Sequence, residues 1–412
     1  MTQPESTTPL LDPWVAPPTQ PPVAPPPQAA PQPPSPNEPK KSGGRRVAEI
    51  SIVALLAAGL ASGGTYAVTR ANAPGTAQGV SSVAAPVVQA NGSTPDWAAT
   101  AKAVSPSVVA IRMTTQQGGG EGSGVVIDKA GHVLTNNHVA TGAGANAKIT
   151  VTLDDGRTYN ATIAGTDPAT DLAVLTLQNP PDDLTPISIG DSDALVVGQP
   201  VMAVGNPLGL AGTVTTGIVS ALNRPVSTGS SDSAQGTSTD PVVTNAIQTS
   251  AAINPGNSGG ALVTANGQLI GINSSIASLG SSQGGQSGNI GIGFAIPSNE
   301  AKTIAQQLIA DGTAEHAYLG VSSEDTTVTD GSSQRAAAAV RSVASGTPAA
   351  SAGLQVGDAI VAIDGERVDS SLALVAAIRE HQVGDKITLT VIRNGEHVDV
   401  DVTLTARPAT TR

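Results

Sequence analysis

Apolar positions are unevenly spread along this 412-residue chain. From Val47 to Val68 they run almost unbroken, interrupted by Glu49 and a few small hydroxyl residues. A run of this length matches one helix across a hydrocarbon layer of about 30 Å. Lys40, Lys41, Arg45 and Arg46 precede it and only Arg70 follows closely. That bias predicts a cytoplasmic N-terminus and an extracytoplasmic remainder. A cleaved signal peptide is the main alternative, but a 40-residue tail ahead of the charged region is too long for one. Ser62, Gly63 and Gly64 weaken the helix, so release by cleavage nearby stays open. A buried helix of a soluble protein is the third reading, and the basic flank argues against it.

Residues 69–94 show no clear period and read as a stalk. From Pro95 and Trp97 the pattern changes to short β-rich runs: Ser107–Met113, Gly122–Asp128, His132–Thr135, Lys148–Leu153, Leu172–Leu177, Pro200–Val204 and Gly217–Ala221. Turn signals such as Ala130-Gly131, Asp155-Gly156 and Asn266-Gly267 separate many of them. Many short strands in one region predict a sandwich or a barrel, and alternation alone does not choose. Two Ser-, Gly- and Gln-rich stretches, 223–240 and 278–289, read as long loops that gate substrate or regulate, or as tolerated insertions. Ser298 to Asp311 predicts a helix capped by Ser298 and stopped by Gly312. A second domain then spans 315–406, with strands at Tyr318–Ser322, Ala338–Val343, Ala359–Ile363, Lys386–Arg393 and Val398–Leu404. Its helix, Ser370 to His381, places Leu372, Val375, Ala376 and Ile378 on one face.

Composition narrows this picture. The first 40 residues hold 15 of the 31 prolines and few large apolar side chains. Such a segment cannot offset its ordering entropy, so residues 1–46 are expected to be a disordered, Pro-rich cytoplasmic tail. It serves as a spacer or as a docking site for a proline-reading partner. Without cysteine there is no disulfide and no thiolate metal site. The formal charge of −12 argues against nucleic-acid binding. No P-loop and no metal-ligand cluster is evident, so no cofactor is expected.

Three polar blocks carry candidate chemistry. Thr135-Asn136-Asn137-His138-Val139 supplies an imidazole, Asp171-Leu172-Ala173-Val174-Leu175 a carboxylate, and Gly256-Asn257-Ser258-Gly259-Gly260 a hydroxyl. The order His, Asp, Ser is that of chymotrypsin-type enzymes. A serine hydroxyl needs a base, and an imidazole needs a carboxylate to fix its tautomer. Gly256, Asn257 and Ser258 form a turn whose N–H groups could meet a developing oxyanion. Of the other histidines, His132 lies in an Ala-Gly-His turn and reads as surface. His316, His381 and His397 belong in or near the second domain. Asp167 precedes Pro168 and reads as a turn former, as do Asp154 and Asp155. The blocks together point to acyl transfer on peptide bonds.

These residues resemble the HtrA/Deg family of PDZ-containing serine proteases. The matching blocks are Gly122-Ser123-Gly124-Val125-Val126-Ile127, Thr135 to Val139, Asp167 to Leu175, Gly205-Asn206-Pro207-Leu208-Gly209, Ile247-Gln248-Thr249, Ala251 to Leu262 and Asn289 to Pro297. The anchored layout looks like the membrane-tethered PepD-type members. The resemblance implies a mainly β fold: a chymotrypsin-like pair of perpendicular six-stranded barrels over 95–300, followed by a PDZ domain. It also implies ATP-independent cleavage of unfolded or damaged extracytoplasmic proteins, in a homotrimer. Its specificity pocket would be shaped by Gly271, Ile272, Asn273, Gly291, Ile292, Gly293 and Phe294, whose apolar or small character fits cleavage after small or medium aliphatic residues and not after Lys or Arg. Tyr318, Leu319, Gly320 and Val321 would form the PDZ carboxylate-binding loop, with Ala352-Gly353-Leu354 and Gly357-Asp358-Ala359-Ile360 as its next signature. Ser250 stands where many relatives carry Asp, which bears on loop coupling. Trp97 is the single aromatic near the expected trimer interface, so that interface would differ here. Two rivals to a working protease are a peptide-binding holdase and a ligand-gated sensor whose triad rests misaligned.

Overall fold

A computed structural model describes residues 94–408, apart from 117, 145, 207–211, 229–241 and 276–290. The expected tail, membrane helix and nearly all of the stalk lie outside these residues, as do the 278–289 loop and most of the 223–240 loop. No helix among the described residues is long and apolar enough to cross a membrane.

The described residues open with helix α1 (Trp97–Val104), capped by Asp96, whose side chain accepts from the Ala99 N–H at 3.0 Å. Six strands then close a barrel in the order β1-β2-β3-β6-β5-β4. They are β1 (Val108–Thr115), β2 (Gly118–Val126), β3 (His132–Asn136), β4 (Lys148–Thr152), β5 (Thr158–Asp167) and β6 (Leu172–Leu177). A second barrel closes in the order β10-β11-β12-β9-β8-β7. Its strands are β7 (Pro200–Gly205), β8 (Thr213–Thr228), β9 (Val242–Thr249), β10 (Ala261–Thr264), β11 (Leu269–Ser274) and β12 (Gly293–Pro297).

The apolar strands are continuous because both their faces are covered. Val109, Val133, Ala173 and Leu175 fill the interior of the first barrel. Their neighbours Val108, Leu134, Leu172 and Val174 face the opposite way, into a layer shared with Met202, Val204, Ala261 and Ile272 of the second barrel. Val201 and Ala203 point into the second barrel's own core. Alternation is therefore between two apolar environments, and the usual in/out contrast of a half-exposed sheet is missing.

Helix α3 (Ser298–Asp311) packs Ala301, Ile304, Ala305 and Leu308 onto that shared layer. Its C-terminus is the one expected: Gly312 takes φ 75° and its N–H bonds the Leu308 carbonyl at 3.1 Å. The N-terminal expectation is corrected. Pro297 occupies the cap position, and Ser298 is the first helical residue, its Oγ donating to the Gly190 carbonyl at 2.9 Å. A second correction concerns residues 223–228, which continue strand β8 instead of opening a loop.

The second domain is a sheet in the order β14-β15-β16-β18-β19, with β17 on β16 and a small β13-β20 pair. Its strands are β13 (Ala317–Tyr318), β14 (Val321–Asp330), β15 (Ser333–Val343), β16 (Ala359–Ile363), β17 (Glu366–Arg367), β18 (Lys386–Arg393), β19 (Glu396–Thr403) and β20 (Thr405–Ala406). Two helices accompany them, α4 (Pro348–Ser351) and α5 (Ser371–Glu380). The expected strand over 318–322 is broken at Leu319-Gly320, where the chain turns. Helix α5 buries Leu374, Ala376 and Ile378, so the face assigned through Leu372 and Val375 was out of phase. Its other side packs against β8 and β9 of the second barrel.

Candidate active site

Strand pairing brings His138 and Asp171 together. In β3 and β6, Asn136 pairs with Leu172, so the residues just past these ends are neighbours. His138 sits on the short helix α2 (Asn137–Thr141). The Asp171 carbonyl accepts from Asn137 N–H at 2.9 Å and from Asn136 Nδ2 at 3.0 Å. The Asp171 carboxylate accepts from His138 N–H at 3.0 Å and meets His138 Nδ1 at 2.9 Å. Asp171 is 5% exposed and adopts φ 58°, a left-handed backbone uncommon outside glycine. Ser274 Oγ donates to the same carboxylate at 3.5 Å. With Nδ1 held by the carboxylate, Nε2 is the nitrogen left for a nucleophile.

Ser258 lies between β9 and β10, 3% exposed. Its loop is fixed by both barrels. From the first, Ser123 N–H donates to the Ser258 carbonyl at 2.8 Å, and Ser123 Oγ donates to the Gly256 carbonyl at 2.6 Å. From the second, Gly259 N–H donates to the Asn273 carbonyl and Asn273 N–H to the Gly260 carbonyl, both at 2.9 Å. Glycine is required at 259 for two reasons. Its φ is 80°, and a Cβ there would lie 2.1 Å from the Ser123 carbonyl oxygen.

Gly256 takes φ 96°. Among the described residues, neither the Gly256 N–H nor the Ser258 N–H has a hydrogen-bond partner in the chain. Two donors, one on each side of Asn257, left over in a partly buried turn are what an oxyanion site needs. The Asn257 N–H is committed elsewhere, to the Asn254 carbonyl at 3.0 Å, and the Asn257 Nδ2 is buried without a partner. Asn257 therefore shapes the turn, while its two neighbours offer the donors.

The Ser258 hydroxyl is not hydrogen-bonded to His138. It contacts Ser275 Oγ at 2.5 Å and accepts from the Ser275 N–H at 3.1 Å. The hydroxyl of the nucleophile candidate is thus engaged by Ser275, the residue that follows β11.

Of the expected specificity residues, Gly271, Ile272 and Asn273 lie on β11 and Gly293 and Phe294 on β12, paired so that Ser274 faces Phe294. The Ile272 side chain is part of the layer between the barrels. The Asn273 side chain donates to the Ala261 carbonyl at 2.9 Å. Both are fully buried and brace the strand, whereas Gly291, with φ 83°, and Ile292 lead into β12. Ser250, the noted departure, accepts from the Ile218 N–H through its hydroxyl at 3.0 Å.

The remaining polar residues find their own roles. His132 opens β3, and its Nδ1 bonds Asp128 at 2.5 Å, so it is a paired strand residue and not a loose surface one. Asp167 does turn the chain, accepting from Ala169 N–H and Thr170 Oγ1, and it also meets His316 Nε2 at 2.9 Å. In the second domain, Gly320 takes φ 89° between β13 and β14, and a Cβ there would fall 2.3 Å from that of Thr347. Tyr318 belongs to β13, Leu319 is buried, and Val321 begins β14. Asp358 is buried and forms a two-pronged pair with Arg393 at 2.6 and 2.7 Å. Sequence reasoning gave no role of their own to Ser123, Ser274, Ser275 and Arg379. Ser123 lies inside the Gly122–Ile127 block, where the small residues flanking it were the available signal.

The described residues contain no cluster able to hold a metal ion. A model described as a trypsin-like peptidase domain matches residues 122–272, and one described as a PDZ domain matches 317–404. Serine protease PepD of Mycobacterium tuberculosis is 46% identical over 348 residues, covering 82% of this chain and 72% of that protein. The periplasmic pH-dependent serine endoprotease DegQ of Escherichia coli is 44% identical over 290 residues, covering 69% of this chain and 59% of that one. Periplasmic serine endoprotease DegP of the same organism is 44% identical, with 56% of its length covered. The chain therefore spans less than two thirds of DegQ and DegP. Among solved structures, the HtrA-type protease AlgW with a tripeptide gives a TM-score of 0.54 at 35% identity, covering 76% of this chain and 98% of that one. The same protease with a decapeptide gives 0.52 at 34% identity, covering 76% and 99%. Spanning most of a relative this similar, the chain belongs to the HtrA/Deg family of serine proteases.

Proposed function

We propose that the chain is a serine endopeptidase that cleaves unfolded or damaged extracytoplasmic proteins. Ser258 attacks the scissile carbonyl carbon while His138 Nε2 takes its proton. Asp171 holds the Nδ1 proton and stabilises the imidazolium. The carbonyl oxygen gains charge against the N–H groups of Gly256 and Ser258. Collapse of the tetrahedral intermediate expels the amine, which receives the proton from His138 and leaves an acyl-Ser258 ester. Water, deprotonated by His138, then releases the acid and restores the hydroxyl. The PDZ domain captures peptide C-termini at the Tyr318–Val321 loop, in keeping with the peptide complexes of AlgW. Residues 47–68 anchor the chain, and three copies assemble.

The observation that carries this reading is the 2.9 Å bond between the Asp171 carboxylate and His138 Nδ1, with Ser274 reaching that same carboxylate while the next residue, Ser275, holds the buried Ser258. The test is degradation of a denatured protein by the full chain and by Ser258→Ala. Cleavage that vanishes in the variant with binding retained supports the proposal. Binding without cleavage in the unmutated chain supports a holdase instead. The Ser258–Ser275 contact favours a gated version, in which the hydroxyl is surrendered to His138 only after ligand or substrate arrives. Fluorophosphonate labelling that accelerates when a C-terminal peptide is added distinguishes the gated enzyme from a constitutive one.

A further inference from the structure

Asp171 sits at the end of a five-residue turn, Asp167-Pro168-Ala169-Thr170-Asp171. Asp171 itself takes a left-handed backbone, φ 58°, and is bonded directly by Asn136, Asn137 and His138. The turn's internal bonds, from Ala169 N–H and Thr170 Oγ1 to Asp167, shape it without fixing it in space. Two strong external ties come from beyond the protease barrels. His316, on the segment entering the PDZ domain, bonds Asp167. Arg379, on PDZ helix α5, donates from Nη1 to the Ala169 carbonyl at 3.0 Å and to the Val243 carbonyl at 3.2 Å. Val243 is the second residue of β9 in the second barrel, and its own N–H reaches the Ala169 carbonyl at 3.3 Å. One guanidinium thus pins the turn that carries Asp171, in the first barrel, to the second barrel.

We propose that Arg379 is a positioning residue for the Asp171–His138 pair, acting through the Ala169 carbonyl two residues away. The inference rests on the proposed triad and assigns it a support from another domain. A guanidinium suits this role, because its charge strengthens each N–H···O=C bond and its planar donors span two carbonyls. Helix α5 is itself fixed by the PDZ core through Leu374 and Ile378. Its first residue is tied to β14, the strand that follows the Tyr318–Val321 loop: Ser371 N–H donates to Asp325 at 2.7 Å. Arg379 therefore couples the geometry of the peptide-binding module to that of the catalytic carboxylate through one helix.

The test uses the full chain, with Arg379→Met, which keeps the apolar stem, Arg379→Lys, which keeps a charged donor, and Arg379→Gln, which keeps a shorter neutral one. The substrate is a short blocked peptide anilide that lacks a free carboxylate and so does not engage the PDZ loop. Misplacing the carboxylate predicts that R379M lowers kcat and the rate of fluorophosphonate labelling by about ten- to a hundredfold, with KM within about twofold. The final extent of labelling stays that of the unmutated chain, and R379K recovers most of the rate. A purely structural role would instead reduce the labelled fraction and leave the rate per active chain unchanged. If R379M does not fold, R379Q is read in the same way. Wild-type activity in folded R379M or R379Q overturns the assignment while leaving the protease reading intact. An unmutated chain that neither cleaves nor labels overturns the protease reading and this assignment with it.

Discussion

Ser123 holds the cleft together through one hydroxyl. It donates to the Gly256 carbonyl and accepts from the Asn206 N–H at 2.8 Å, so it ties the nucleophile turn to the residue that follows β7. Replacing it with alanine leaves a carbonyl and an amide without partners in a buried place, at a cost of about 1–3 kcal/mol for each unsatisfied group. Ser123→Ala should therefore lower kcat by about tenfold, because the turn that carries the Gly256 and Ser258 N–H groups is freed to shift from the oxyanion position. Steady-state kinetics on a short peptide would show it, and an unchanged kcat would remove Ser123 from the site's support. The contrast with His138, Asp171 and Ser258 explains what was legible at this scale. Those three are reactive side chains in distinctive local blocks, so the residue types themselves carry the signal. Ser123, Ser275 and Arg379 act on backbone or hydroxyl groups elsewhere in the chain, and apart from the small residues flanking Ser123 nothing local distinguishes them from ordinary surface residues.

Single elements show the same division. Helix α3 was legible to the residue at its C-terminus because Gly312 stops it by backbone geometry alone. Strands β5, β9 and β10 were not. β5 mixes Thr, Asn and Gly with a few apolar residues, and β10 is four residues behind a glycine run. β9 mixes Thr244, Asn245, Gln248 and Thr249 with four apolar residues, and it gains its identity from pairing with β8 across a register shift. The β14–β15 hairpin was legible only at its ends, as the strands expected over 318–322 and 338–343, because its tip, around Asp330-Gly331, is polar and half exposed. The loop between β13 and β14 carries a prediction of its own. Gly320→Ala adds a Cβ where Thr347 already stands and forces alanine into a left-handed backbone. The loop must shift, and affinity for a peptide bearing a free C-terminus should fall at least about tenfold. Calorimetric titration against the same peptide with an amidated terminus checks it. Equal affinities for the variant and the unmutated chain would place the carboxylate elsewhere.

At the scale of the whole molecule, the seam between the second barrel and the PDZ domain encloses a cavity of about 640 Å³, lined by Glu300, Glu380, His316 and Arg379 among others. The Glu300 Oε2 atom is buried without a hydrogen-bond partner. Burial, with Glu380 and Asp167 facing it, pushes the Glu300 carboxyl up to about 8, against the pull of Arg379. Burial also raises Glu380, to about 7, although part of its surface stays exposed and its bond to Asn245 opposes the shift. The folded chain therefore keeps a proton on Glu300 that the unfolded chain releases near 4.5. Between these values the native state binds more protons, so stability falls as pH rises from about 4.5 to about 8 and then levels. Glu300→Gln should narrow the difference in melting temperature between pH 5 and pH 9. A difference as wide as in the unmutated chain would show that Glu300 does not contribute. This seam was invisible in the sequence, since Glu300 and Glu380 look like exposed helix residues until two domains close over them. The choice between barrel and sandwich was equally hidden, because strands covered on both faces show no alternation to count.

The short contact between Ser258 and Ser275 has a kinetic consequence. A hydroxyl occupied by a neighbour's hydrogen bonds is a poor attacker, so every interval spent in that embrace is subtracted from turnover. Extending β11 with an incoming chain would compete for the Ser275 amide and loosen that hold. Idle molecules would then spare the intact proteins around them, and the cargo itself would release the safety catch.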